Sequence, residues 1–214
     1  MLPTTLKKLG AAAVLVAALA APASAAVLVQ QRPADGGPGF LSANSVGYQN
    51  GDTFVLGGDS ELQGIAWWGT EAGPDGFVVR LFDSLAGGAA PLVTYLGAVN
   101  RELADPAIHD DGQNPLYRYW IDGLSFSLAG GITYLLSVGN EDAEWFWQTG
   151  LPDGSSHWRG DDGDDWTEDA FDLAFAIDGQ RTSVNPVPEP GVLALLGIAG
   201  LAAALAGRRR KATA

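Results

Sequence analysis

Residues 171–178 read Phe171-Asp172-Leu173-Ala174-Phe175-Ala176-Ile177-Asp178. In an extended chain successive side chains point to opposite faces. Phe171, Leu173, Phe175 and Ile177 therefore make one apolar face, and Asp172, Ala174, Ala176 and Asp178 make the other, as in a strand with one side against a core. The same period recurs upstream. Leu124, Phe126 and Leu128 alternate with Ser125 and Ser127, and Ile132, Tyr134, Leu136 and Val138 line one side of 131–138. Residues 27–31, 52–56, 61–68, 77–83, 91–99, 116–122 and 144–148 are further extended segments, with Gly, Pro, Asp or Asn between many of them. No segment sustains a 3.6-residue apolar period, and no repeat suggests a propeller or solenoid. Short strands in this number predict an all-β fold over 26–181, an antiparallel β-sandwich that is jelly-roll-like. The longest loop is expected from Asn100 to Pro115.

Composition narrows the function. A chain of 214 residues suits one folded domain. It contains no Cys, which excludes disulfides, thiol nucleophiles and thiolate-bound metal. Two histidines, His109 and His157, cannot make a three-His metal site. The segment 26–187 carries six Arg against 24 acids, a net charge of −18. Such a surface repels phosphate backbones, so nucleic acid is not an expected partner.

The two ends differ from this body. Lys7 and Lys8 precede the apolar run 9–21, which is too short to span a bilayer comfortably, and Ala23-Ser24-Ala25 follows as a small-x-small site. Residues 1–25 thus read as a secretory signal peptide, the alternative being an uncleaved anchor. At the other end come a linker at 182–187, then Pro188-Glu189-Pro190, then an uncharged apolar run at 191–207, then Arg208, Arg209, Arg210 and Lys211. At ~1.5 Å per residue a helix over the apolar run would be about 26 Å long, close to a bilayer core once the arginines snorkel. Positive residues stay cytoplasmic, which puts the body outside.

This tail resembles the PEP-CTERM sorting signal of Gram-negative bacteria: a Pro-Glu-Pro motif, a transmembrane helix and a terminal Arg cluster, met here by Pro188, Glu189, Pro190, the run 191–207 and Arg208 to Arg210. The resemblance implies an inner-membrane intermediate, recognition by exosortase, and export to the cell surface or the exopolysaccharide matrix. Similar tails occur on some proteins named as ice-binding. The scattered Thr residues of the body do not form the regular array that ice binding needs. The alternative is an ordinary tail anchor. The body is also similar to bacterial surface domains of unassigned activity that precede such tails. The similar stretches are Asp52-Thr53-Phe54-Val55-Leu56, Ile65-Ala66-Trp67-Trp68-Gly69, Phe77-Val78-Val79-Arg80-Leu81-Phe82, Tyr119-Trp120, Trp145-Phe146-Trp147 and Asp172-Leu173-Ala174-Phe175. That similarity implies a sandwich and carries no site residues.

Two features of the body are candidate binding chemistry. Asp161, Asp162, Asp164, Asp165, Glu168 and Asp169 crowd into nine positions, a repulsion that Ca2+ would relieve if the loop wrapped it. The spacing is neither an EF-hand nor a nonapeptide repeat, and the alternative is a solvated acidic loop. Trp67, Trp68, Trp145, Trp147, Trp158 and Trp166 are candidate glycan-stacking residues, with core packing as the alternative. Adjacent Trp67 and Trp68 face opposite ways, so one of them is expected on an outer face or an edge. Trp145 and Trp147 share a face, and Trp158 and Trp166 flank the acidic loop. Glu71, Glu102, Glu141 and Glu144 are nominal glycoside-hydrolase carboxylates with no distinguishing spacing. Gly-x-Ser-x-Gly and phosphate-cradling loops are absent. The expected role is a non-enzymatic surface or matrix protein, carbohydrate-binding or purely structural, with a hydrolase as the distant alternative.

Overall fold

The computed structural model describes residues 25–151 and 155–182. The signal-like segment through Ser24, the sorting motif and the apolar run 191–207 lie outside the described residues. Among the described residues no helix is long and apolar enough to cross a membrane.

Thirteen strands are described: β1 (Ala26–Gln31), β2 (Gly39–Leu41), β3 (Gln49–Val55), β4 (Ser60–Gly69), β5 (Phe77–Phe82), β6 (Val93–Gly97), β7 (Asn100–Leu103), β8 (Tyr117–Leu128), β9 (Thr133–Asn140), β10 (Phe146–Gln148), β11 (Ser156–Arg159), β12 (Thr167–Glu168) and β13 (Phe175–Arg181). One sheet runs β1-β13-β4-β8-β7, with β10 pairing the last residue of β4 and bringing in β2. The other runs β12-β11-β3-β9-β5-β6. The orders β1-β13-β4-β8 and β3-β9-β5-β6 interleave early and late strands as two nested Greek keys do, which is a jelly roll.

The alternation read from the sequence maps onto the space between the sheets. Leu173, Phe175 and Ile177 pack there against Tyr134, Leu136 and Val138 in one continuous core. Phe171 and Ile132, which open the two apolar rows, lie before their strands begin and are exposed. The runs 116–122 and 124–128 are a single strand, β8. Gly123 at φ +72 absorbs a bulge between the pairs Gly64–Asp122 and Leu62–Phe126. The loop expected after Asn100 starts instead as β7, which pairs β8 although all four of its residues are exposed.

A cluster of rings fills one end of the core. Trp67 and Tyr119 stack at 6.2 Å, and Phe77 meets Tyr119 at 4.8 Å and Trp145 at 5.2 Å. Trp147 lies 6.2 Å from Trp145. Their polar atoms bond to backbone. Tyr119 Oη donates to Thr70 O and accepts from the Ala72 amide, both at 2.8 Å. Trp145 Nε1 donates to Thr70 O at 3.1 Å and Trp147 Nε1 to Ala174 O at 2.8 Å. Trp67 Nε1 is buried with no partner, so this packing carries one desolvation cost.

Register sets the two ends of the sandwich apart. Ala26 pairs with Gly179 and Arg181 with Ser60, while Val55 pairs with Thr133. These residues share one end, which holds the start of β1 and the finish of β13. Gln31, Gln49 and Gly69, at the opposite termini of β1, β3 and β4, share the other.

Among the described residues, Asp52 is the most deeply buried acid. Asp52 on β3 is fully buried and accepts a hydrogen bond from the Leu173 amide at 2.6 Å. Burial, with the nearby charge of Asp172, pushes its carboxyl from 3.8 up to about 8, while hydrogen bonds from Leu173, Thr53 and Gln31 pull it the other way. The fold thus keeps this proton to a higher pH than the unfolded chain does. Its contribution to stability is complete below pH 3.8 and is lost as pH rises to about 8. Asp52→Asn should flatten that decline. Melting temperatures measured from pH 4 to pH 8 check it, and parallel curves for the two proteins would contradict the assignment.

Candidate functional site

Most of the tryptophans are structural. Trp67, Trp145 and Trp147 are fully buried in the main core, and Trp166 is buried with Phe82 and Leu135. Trp68 does face away from Trp67, but it too is buried, at 8% exposure. The segment after β7 folds over the outer face of the sheet there, and Trp68 packs with Ala66, Ala104, Ala174 and Ala176 under Ile108 and Trp120. Burial therefore removes Trp67, Trp68, Trp145, Trp147 and Trp166 from any glycan-stacking surface. The expectation that one of the adjacent pair would be exposed is corrected by this second apolar layer. The shared face of Trp145 and Trp147 points inward.

Trp158 is the exception, 41% exposed on β11. It lines an open groove of about 410 Å³ with Phe40, Leu41, Tyr48, Asn50 and Asp169. Tyr48 is 50% exposed, and Phe40 is backed by exposed Phe171 at 4.8 Å. The groove forms where β2 of one sheet meets β3 and β11 of the other. Pairing of Trp158 with Asn50, and of Phe40 with Trp147, fixes the positions of its walls. It thus combines aromatic rings with an amide and a carboxylate at the end of the sandwich away from Ala26 and Arg181. Of the groove's lining, sequence reading singled out Trp158 as a stacking residue and Asp169 as part of the acidic cluster. Phe171 is expected on the core face as the first of the row 171–177, and Phe40 and Tyr48 stand in short or irregular segments with no period to mark them.

The acidic loop is held by the protein's own donors. Asp162 Oδ1 accepts from Arg80 at 2.7 Å and from Arg159 at 2.6 Å. Asp164 accepts from the Asp161 amide, Asp165 from the Gly87 amide and Asp169 from the Ala170 amide. Glu168 lies on β12, paired with His157. Among the described residues no group of three or more His, Asp or Glu side chains is gathered so as to hold a metal ion. The six carboxylates thus do not assemble the Ca2+ loop that their spacing suggested. Arg159 is 3% exposed, so the sequence Arg159-Gly160-Asp161 is not displayed as an adhesion motif.

The nominal hydrolase carboxylates separate. Glu102 pairs with Arg118 at 3.1 Å, and Glu141 accepts from Asn44 at 2.5 Å. Glu71, 3.7 Å from Arg101, does share a groove with Glu144, Asp110 and Asp111. Asp110 there is partly desolvated, but hydrogen bonds from the Asn114 side chain and amide hold its carboxyl below the usual value, so it suits an acceptor and not an acid catalyst. His109 remains partly exposed, 3.7 Å from Asp35.

No curated protein matches the chain. The PEP-CTERM protein-sorting motif matches residues 186–211, which include Pro188, Glu189, Pro190 and Arg208 to Arg210. The chain therefore carries a PEP-CTERM protein-sorting motif at residues 186–211, a signal that implies export through a membrane-anchored intermediate and processing by exosortase.

Proposed function

We propose that this protein is a non-enzymatic component of the cell surface or the exopolysaccharide matrix. Its sandwich binds carbohydrate weakly through the groove of Tyr48 and Trp158. The groove itself carries this reading: two exposed rings stand beside Asn50 and Asp169, which offer hydrogen bonds to hydroxyl groups. Sugar rings present C–H faces that pack on aromatic surfaces. The body's charge of −18 disfavours a polyanion, so the ligand here is a neutral or cationic polysaccharide. The groove opens at the end of the sandwich opposite Arg181, the last residue of β13 before the tail, which suits display while the chain is still anchored. Affinity per site is expected near millimolar, roughly 4 kcal/mol, and gains weight through many copies.

The second reading is a structural matrix protein without a ligand. Burial of five of the seven tryptophans favours it.

Two experiments test these statements. Trp158→Ala and Tyr48→Ala should each weaken retention on the host's own neutral polysaccharide by about tenfold, the loss of roughly 1.4 kcal/mol of stacking, with melting temperature little changed. Affinity electrophoresis reads the effect. No retention of the unmodified chain would leave only the structural role. Separately, replacing Pro188, Glu189 and Pro190 together by Ala should leave a full-length, membrane-bound form in the native host. Mass spectrometry of surface material checks it, and peptides from 191–211 on the mature unmodified protein would contradict processing at this motif.

A further inference from the structure

Two of the body's six arginines converge on one point. Arg80 projects from the outer face of β5 and Arg159 from that of β11. Both donate to the same oxygen, Asp162 Oδ1, at 2.7 and 2.6 Å. Both also donate to Gln49 Oε1, Arg159 at 2.9 Å and Arg80 at 3.3 Å. The Arg159 guanidinium lies 4.4 Å from the Trp166 ring centre and 5.3 Å from that of Phe82, which fixes its plane. In hydrogen-bonded partners, two cations share a single carboxylate.

The pair forms one wall of a cavity of about 350 Å³. Phe82, Pro91, Thr94 and Leu96 also line it, supplying apolar surface and one hydroxyl. The three charged partners differ in how firmly they are held. The Arg159 side chain is 3% exposed and that of Arg80 17%, whereas the Asp162 side chain is 66% exposed on a loop that continues through Gly163 at φ +121. Asp162 can swing into water at little cost, as exposed ion-pair members do. The guanidiniums cannot follow, and a buried cation left without its carboxylate is strongly unfavourable.

We propose that Arg80 and Arg159 form a recognition site for the carboxylate of a uronic acid unit, and that Asp162 occupies it in the free protein. A uronate would replace Asp162 Oδ1 on the two guanidiniums and lay its ring against Pro91 and Leu96. The site shares no lining residue with the Trp158 groove and does not depend on that groove binding anything. The negative body opposes an anionic ligand at long range. At physiological ionic strength this field is screened beyond ~8 Å, so short-range pairing decides.

The Asp162→Asn chain is the direct test, because it removes the internal competitor and leaves both arginines. Its melting temperature should rise by about 4 °C in D-glucuronate at ten times the Kd, and should not respond to D-glucose, or to sodium chloride at equal ionic strength. An equal response to acetate would overturn the uronate assignment, and no response would overturn the site. Saturation-transfer NMR on the unmodified chain covers the case in which the variant does not fold. There, millimolar glucuronate binding should be detectable and should disappear in Arg80→Gln while persisting in Trp158→Ala. Binding unaffected by Arg80→Gln, or absent altogether, would overturn the proposal.

Discussion

Everything in this sandwich depends on enclosing five rings, Trp67, Phe77, Tyr119, Trp145 and Trp147, between two sheets at one end. Rings of this size bury 150–250 Å² each, roughly 4–6 kcal/mol apiece at ~25 cal/mol/Å² before conformational entropy is subtracted. A protein with no disulfide has no covalent substitute for that burial. The rings also set the local chain path, because the segment 70–72 must run where its backbone can meet both Tyr119 Oη and Trp145 Nε1. The aromatic cluster therefore positions the turn after β4 as well as the strands themselves.

The same demand explains where binding chemistry is left. Tryptophan is the residue best suited to stack on sugars, yet the core and the outer layer over Ala66 and Ala174 consume most of it. What remains in contact with water is the rim, where β2, β3 and β11 meet and the two sheets no longer cover one another. Tyr48, Trp158 and Phe171 stay exposed there because none of the described segments folds over them. At the opposite end, the start of β1 and the finish of β13 pair side by side. The jelly-roll order follows from this arrangement. The first and last strands must lie adjacent in one sheet, with early and late strands interleaved between them.

Charge is managed locally. A body of −18 places six carboxylates in nine positions and holds four of them, Asp162, Asp164, Asp165 and Asp169, with loop amides and with two of its few arginines. Asp52 shows the other solution. Fully buried, it keeps its proton to about pH 8, so its own carboxyl adds no buried charge near neutrality.

By itself the sequence determined what depends on neighbours along the chain. Period-two alternation identified the inward faces of 171–178 and 131–138, because strand geometry alone sends alternate side chains to one side. It likewise put Trp145 and Trp147 together. The sorting motif was legible as a contiguous string, readable without any fold. Tertiary structure alone decided what depends on residues far apart. Trp68 is buried because Ile108 and Ala104, some forty positions later, close over it. Asp162 is an ion-pair partner and not an assembled metal ligand because Arg80 arrives from 82 positions away. Tyr48 and Trp158 share a groove because β3 and β11 pair across 110 residues. β7 is a strand only because β8 offers it an edge, since its own four residues are exposed and carry no apolar period. Local periodicity records which way a side chain points, whereas burial and partnership also depend on what the rest of the chain brings to that side.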